Sequence, residues 1–149
     1  MILKNYFLVM NIRNLLGHRY LYLWLAELWT LSIAFLCLES SNNLPSIGVQ
    51  GIDKYVHFTF YYVFVILWSL YFIKKQLENR KAIRKIVVIV FGASVLYGIL
   101  IEIAQGLFTA TRVPDVFDVL ANSTGSFFGV CSILLYTFYL FRKRSKARD

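Results

Sequence analysis

An all-α membrane protein, a four-transmembrane-helix bundle with both ends on the cytoplasmic side, is the fold class this sequence predicts. Three observations lead there: an apolar excess, its concentration in four long runs, and a one-sided distribution of Lys and Arg. Hydrophobic residues make up 58% of the chain, against about 45–50% in a soluble domain. A water-soluble core of this size could not bury the difference. The 149 residues accommodate one domain, and no composition shift marks an internal boundary.

Residues 1–18 mix Ile2, Leu3, Phe7, Leu8, Val9, Ile12, Leu15 and Leu16 with Lys4, Arg13 and His18. That apolar stretch is too short to span, so an interfacial amphipathic helix leading into the first span is expected. Basic residues interrupt it and no small-residue cleavage site follows the next run, so the N-terminus is expected to be retained. Four longer runs follow at about 20–38, 55–73, 86–108 and 116–141. A span needs roughly 20 apolar residues to cross a ~30 Å hydrocarbon core, and continuous runs of that length cross as helices, which satisfy their own backbone groups. Residues 142–149 form a basic tail.

Orientation is read from Lys and Arg. Of the 16 basic residues, all but Lys54 and Arg112 lie in residues 1–19, in the 74–85 connection or in the tail. In a four-helix arrangement those segments share one side, expected to be the cytoplasm. The net charge of +8 is therefore a topology signal, and nucleic acid is not an expected partner. Tyr20, Tyr22, Trp24, Tyr55, Tyr71, Tyr136 and Tyr139 lie toward the ends of the runs, as an interfacial belt requires. Cys37 and Cys131 fall inside apolar runs and read as small buried hydrophobes rather than a redox pair. Pro114 is expected in the first turn of the fourth helix, where its missing N–H is harmless.

Acidic residues show the reverse asymmetry. Glu39, Asp53, Glu102, Asp115 and Asp118 lie on, or near, the outer side; Glu27 is isolated within the first span. Helical spacing gathers them into seams. Asp53, His57 and Tyr61 share a face of the second helix. Ser94, Gly98, Glu102 and Gln105 line one side of the third. Asp115, Asp118, Asn122, Gly125 and Gly129 line one side of the fourth. Small residues let membrane helices approach, and polar side chains then bond across the contact, so the second, third and fourth helices are expected to face one another along these seams, with Arg112 pairing a carboxylate. Bland roles compete: Asp53 as a helix cap, Asp115 at the positive end of a helix dipole, Gly125 and Gly129 as a packing motif. Glu102 and Asp118 resist such readings, because an ionisable side chain within a span costs a few kcal/mol and normally faces a partner or water. Asn122-Ser-Thr matches a glycosylation pattern but sits in an apolar helix and is discounted.

These residues carry a resemblance. Asp53-Lys-Tyr-Val-His57-Phe, Gly98-Ile-Leu-Ile-Glu102-Ile-Ala-Gln105 and Arg112-Val-Pro-Asp115-Val-Phe-Asp118-Val-Leu-Ala-Asn122-Ser-Thr-Gly125 resemble, in order and spacing, three segments of the VanZ-like family of integral membrane proteins. The family is named for a protein linked to resistance to teicoplanin, a glycopeptide antibiotic that acts outside the membrane. The resemblance implies a cell-envelope role, in the bacterial cytoplasmic membrane, with a ligand-binding set of Asp53, Lys54, His57, Glu102, Gln105, Arg112, Asp115, Asp118 and Asn122.

Three functions follow as expectations. The first is binding of a lipid or glycan-linked headgroup at the outer polar cluster, with membrane lipids as partners and, where this chain shares the namesake's role, lowered susceptibility to teicoplanin. The second is a membrane-embedded enzyme acting on an envelope lipid or glycan, with His57 as acid or base and Glu102 and Asp118 tuning it or holding a divalent cation. Oxygen-rich ligation would suit Mg2+ or Ca2+ better than Zn2+. The third is a non-catalytic subunit of a membrane complex, with a membrane-protein partner and polar seams that serve packing. No catalytic function, resident metal or cofactor is assigned, since no nucleophilic-Ser or His-rich metal signature occurs.

Overall fold

In the computed structural model, residues 19–39, 51–74, 76, 79–109 and 114–147 are described. They form four helices: α1 (Arg19–Leu38), α2 (Ile52–Ile73), α3 (Arg80–Phe108) and α4 (Val116–Ser145). Each is long and apolar enough to cross a membrane, and no strand occurs among the described residues. The expected interfacial helix at 1–18, and Arg112, lie outside them.

The helices outrun the apolar runs that announce them. At 1.5 Å per residue, the 20 residues of α1 reach about 30 Å, the thickness of the hydrocarbon core. The 29 of α3 and the 30 of α4 reach about 45 Å. The surplus is basic and amphipathic. α3 begins six residues before its apolar run, where the Asn79 side chain accepts from the Ala82 N–H (3.0 Å). α4 continues through Arg142, Lys143 and Arg144, cations that suit the negative end of a helix dipole. These ends adjoin, with the Arg80 guanidinium lying 4.6 Å from the centroid of the Phe141 ring. Lys and Arg are good helix formers, so hydropathy marks only the immersed part of each helix.

α2 begins at Ile52 rather than 55. Its N-cap is Gly51, at φ 77°, which makes no side-chain cap bond. That left-handed conformation favours glycine, so the N-cap position weighed for Asp53 is taken by Gly51, and Asp53 lies in the first turn. Pro114 also sits differently. It precedes the true cap, Asp115, whose Oδ1 accepts from the Phe117 N–H (2.8 Å), and it packs against Gly106, where a Cβ would collide with the proline ring.

The bundle is arranged inside-out relative to a soluble protein. Leu28, Leu31, Phe35, Val88, Leu96, Leu100, Phe127 and Leu135 face outward, as lipid contact demands. The interior holds small and polar residues among the apolar ones: Ser69, Ser94, Ser126 and Thr137 are buried. With no hydrophobic drive between helices in lipid, close packing and interhelical hydrogen bonds hold them. The most extensive contact is α2 with α4. There Gly125 lies against the Phe58 carbonyl, and Gly129 against Val65 and the Tyr62 carbonyl.

α1 touches α2 and α3 and is fastened by polar side chains. Trp29 Nε1 donates to the Phe60 carbonyl (2.9 Å), Trp68 Nε1 to Thr30 Oγ1 (3.1 Å), and the Tyr97 hydroxyl to the Thr30 carbonyl (2.7 Å). Neither Cys37 nor Cys131 forms a disulfide.

Candidate functional site

The α2 N-terminus, the α3 C-terminus and the α4 N-terminus meet at the end of the bundle opposite the basic helix ends. The three polar seams converge there in two tiers.

The outer tier is built on Lys54. Its Nζ lies 2.6 Å from Asp53 Oδ2, 2.8 Å from Asp115 Oδ2 and 2.9 Å from Asp118 Oδ1. Three donors on one ammonium thus meet three carboxylates, and the cation of α2 ties down the start of α4. Asp53 and Asp115 are partly exposed, whereas Asp118 is buried. Asp115 lies just outside the α4 span. The Lys54 ammonium, and then the Phe117 N–H, hold its carboxyl below the usual carboxylate range.

The inner tier is His57, Glu102 and Asn122, only 3%, 4% and 1% exposed. His57 Nδ1 lies 3.0 Å from Asn122 Oδ1. With the amide in this orientation the oxygen can only accept, so Nδ1 carries the proton. Glu102 Oε2 accepts from the Asp115 N–H (3.3 Å). Its Oε1 lies 3.7 Å from His57 Nδ1, beyond hydrogen-bond range, and has no hydrogen-bond partner in the protein. Asn122 Nδ2 and the Tyr61 hydroxyl are likewise buried without a partner. The amide packs where a Cβ on Gly98 would stand, 3.0 Å from Nδ2, so glycine makes room for it. One turn deeper, Ser94 and Ser126 share a 2.7 Å hydrogen bond between α3 and α4.

Of the residues picked out from the sequence, Asp53, Lys54, His57, Glu102, Asp115, Asp118 and Asn122 therefore converge. Gln105 turns aside: its Nε2 donates to the Cys37 carbonyl of α1 (2.8 Å). Arg112 lies outside the described residues. Glu27 is half-buried on α1, ten residues, or roughly 15 Å along the axis, from Cys37, whose carbonyl meets the site end. Reading the sequence missed Ser126, which falls one residue off the seam expected of α4; its i−4 bond to the Asn122 carbonyl (2.8 Å) is the local signal that could have placed it.

Chemically, four carboxylates surround one ammonium and one imidazole. Such a cluster can hold a cation and accept hydrogen bonds from hydroxyl or amine groups, and it sets a buried histidine beside a buried carboxylate. No curated protein and no solved structure matches the chain. A family model described as VanZ/LLP1 matches residues 5–142, an interval that includes α1 to α3, all but the last three residues of α4, and the whole cluster. The chain belongs to the VanZ/LLP1 family.

Proposed function

We propose that this is a VanZ-like protein of the bacterial cytoplasmic membrane, both ends inside, whose outer-face polar site binds the headgroup of a lipid-linked or glycan component of the envelope. Through that binding it lowers susceptibility to teicoplanin. The observation that carries the reading is the two-tier cluster. Partly exposed Asp53, Lys54 and Asp115 lead to buried His57, Glu102 and Asn122, three of whose neighbouring polar atoms have no protein partner. Buried polar atoms left unbonded cost about 1–3 kcal/mol each, so a ligand that bonds them gains that much in affinity. The excess of acid over base favours a headgroup rich in hydroxyls or amines over a bare phosphate.

Deleting the gene and restoring it, wild type or as Glu102→Gln, tests this by teicoplanin susceptibility. The deletion and the variant should be more susceptible than the wild type. Equal susceptibility in all three would remove the resistance role. The spacing of His57 and Glu102 favours a second reading, an enzyme acting on an envelope lipid or glycan. A His57→Ala, Glu102→Gln double variant that still restores full function would exclude it.

A further inference from the structure

We infer that His57, Glu102 and Asp118 form a binding site for one divalent transition-metal ion, of the Zn2+ or Mn2+ class. The inference goes beyond the headgroup reading and stands on donor geometry alone. One ring nitrogen of His57, one oxygen of Glu102 and one of Asp118 lie within 4.8 Å of one another, and all three residues are buried. They come from three different helices, so the grouping is a product of the tertiary packing and not of one acidic stretch.

Two features point to a cation. Glu102 Oε1 is buried, directed toward the imidazole and without a hydrogen-bond partner, and its 3.7 Å distance from His57 Nδ1 is too long for a hydrogen bond. With the Nδ1 proton given to Asn122 Oδ1 (3.0 Å), Nε2 is the ring nitrogen left for an ion. The charge is also unbalanced. The neighbouring acidic group, Asp53, Asp115 and Asp118, already has the Lys54 ammonium among its oxygens. Lys54 meets Asp118 through Oδ1, which leaves Oδ2 for a second cation.

The donor set selects the ion. Mg2+ and Ca2+ prefer all-oxygen ligation, and imidazole shifts preference toward first-row transition ions. The sequence reading weighed Mg2+ or Ca2+ held by Glu102 and Asp118, and a nitrogen donor beside these two carboxylates shifts that preference. Three protein ligands leave coordination positions open, as in sites that take a further oxygen ligand. Asn122, bonded to the imidazole, serves as the orienting partner that metal-binding histidines usually have.

The test uses the full-length protein in lipid nanodiscs, stripped with EDTA and titrated with ZnCl2 or MnCl2 alone. About one equivalent should remain after gel filtration, with a rise in Tm. Glu102→Gln, which keeps an oxygen for the Asp115 N–H, should bind at least tenfold more weakly, and so should Asp118→Asn. Gly92→Ala, whose added methyl meets nothing within 4 Å, should bind as wild type does. If the ligand variants fold poorly, pulsed EPR of the Mn2+-loaded wild type decides instead, by a nitrogen coupling from one imidazole. Wild type that retains neither ion, binding unchanged in both ligand variants, or bound Mn2+ without nitrogen coupling would each overturn the site. Susceptibility is read separately, so metal binding with unchanged teicoplanin response supports this inference and counts against the headgroup role alone.

Discussion

Lys54 is the residue on which the outer tier depends. Removing its charge, as Lys54→Met, leaves Asp53, Asp115 and Asp118 facing one another across an apolar bundle. The ammonium is partly exposed, so solvent screens part of each pair. The expected loss is on the order of 1 kcal/mol, read as a lower Tm in nanodiscs. Asp115 gives this network a pH dependence. A carboxyl whose folded-state pKa is depressed contributes stability that is fully present above its unfolded value, about 3.9, and lost as the pH falls through the lower folded value. Since Lys54 depresses Asp115, the stability gap between wild type and Asp115→Asn should stay constant from neutral pH down to about pH 4 and close only below that. Thermal unfolding across that range checks it; a gap that closes near pH 6 would show that the contact with Lys54 is not what sets it.

At the scale of elements, the α2–α4 crossing is set by glycine. A Cβ at Gly125 would overlap the Phe58 carbonyl, an atom of the α2 backbone that cannot step aside as a side chain can. Gly125→Ala should force the helices apart and destabilise by about 1–3 kcal/mol, the usual range for overpacking, with less folded protein recovered. Gly92→Ala in α3 meets open space and should gain up to about 1 kcal/mol from helix propensity. Opposite signs for the two substitutions separate close approach from propensity; a similar small effect at both would mean that Gly125 does not control the crossing. The same contrast bears on the inner tier, because α2 brings His57 to Asn122 of α4 (3.0 Å) one turn from this crossing. How much of these elements can be read from the sequence varies with the residue. The seam spacing of Ser94, Gly98 and Glu102 correctly names the buried face of α3. The start of α3 is missed by six residues because Arg80, Lys81, Arg84 and Lys85 are helical but not apolar.

For the whole molecule, polarity is divided between two ends. Basic turns of α3 and α4 adjoin at one, and the acidic cluster closes the other. The positive-inside rule then predicts that a C-terminal green fluorescent reporter is fluorescent and a C-terminal alkaline phosphatase fusion inactive. The reverse pair of results would place the cluster on the cytoplasmic side and remove the route to an extracellular antibiotic target. α1 stands apart from α4 and is attached through side-chain donors to α2 and α3, bonds that average about 0.6 kcal/mol each in membranes.

The sequence by itself determined four membrane-length helices and the buried faces of the last three. Lipid forces each span to satisfy its own backbone, so length and 3.6-residue periodicity read directly. It also collected most of the cluster, because Asp53, Lys54, His57, Glu102, Asp115, Asp118 and Asn122 all lie near corresponding helix ends. Only the tertiary structure decided the partners. Lys54 joins three carboxylates, Asn122 meets His57, Gln105 turns to α1, and Glu102 keeps one oxygen without a partner. Those choices depend on the rotation and crossing of helices far apart in the chain. They are set by where Gly98 and Gly125 permit close approach, and one-dimensional spacing carries no record of that.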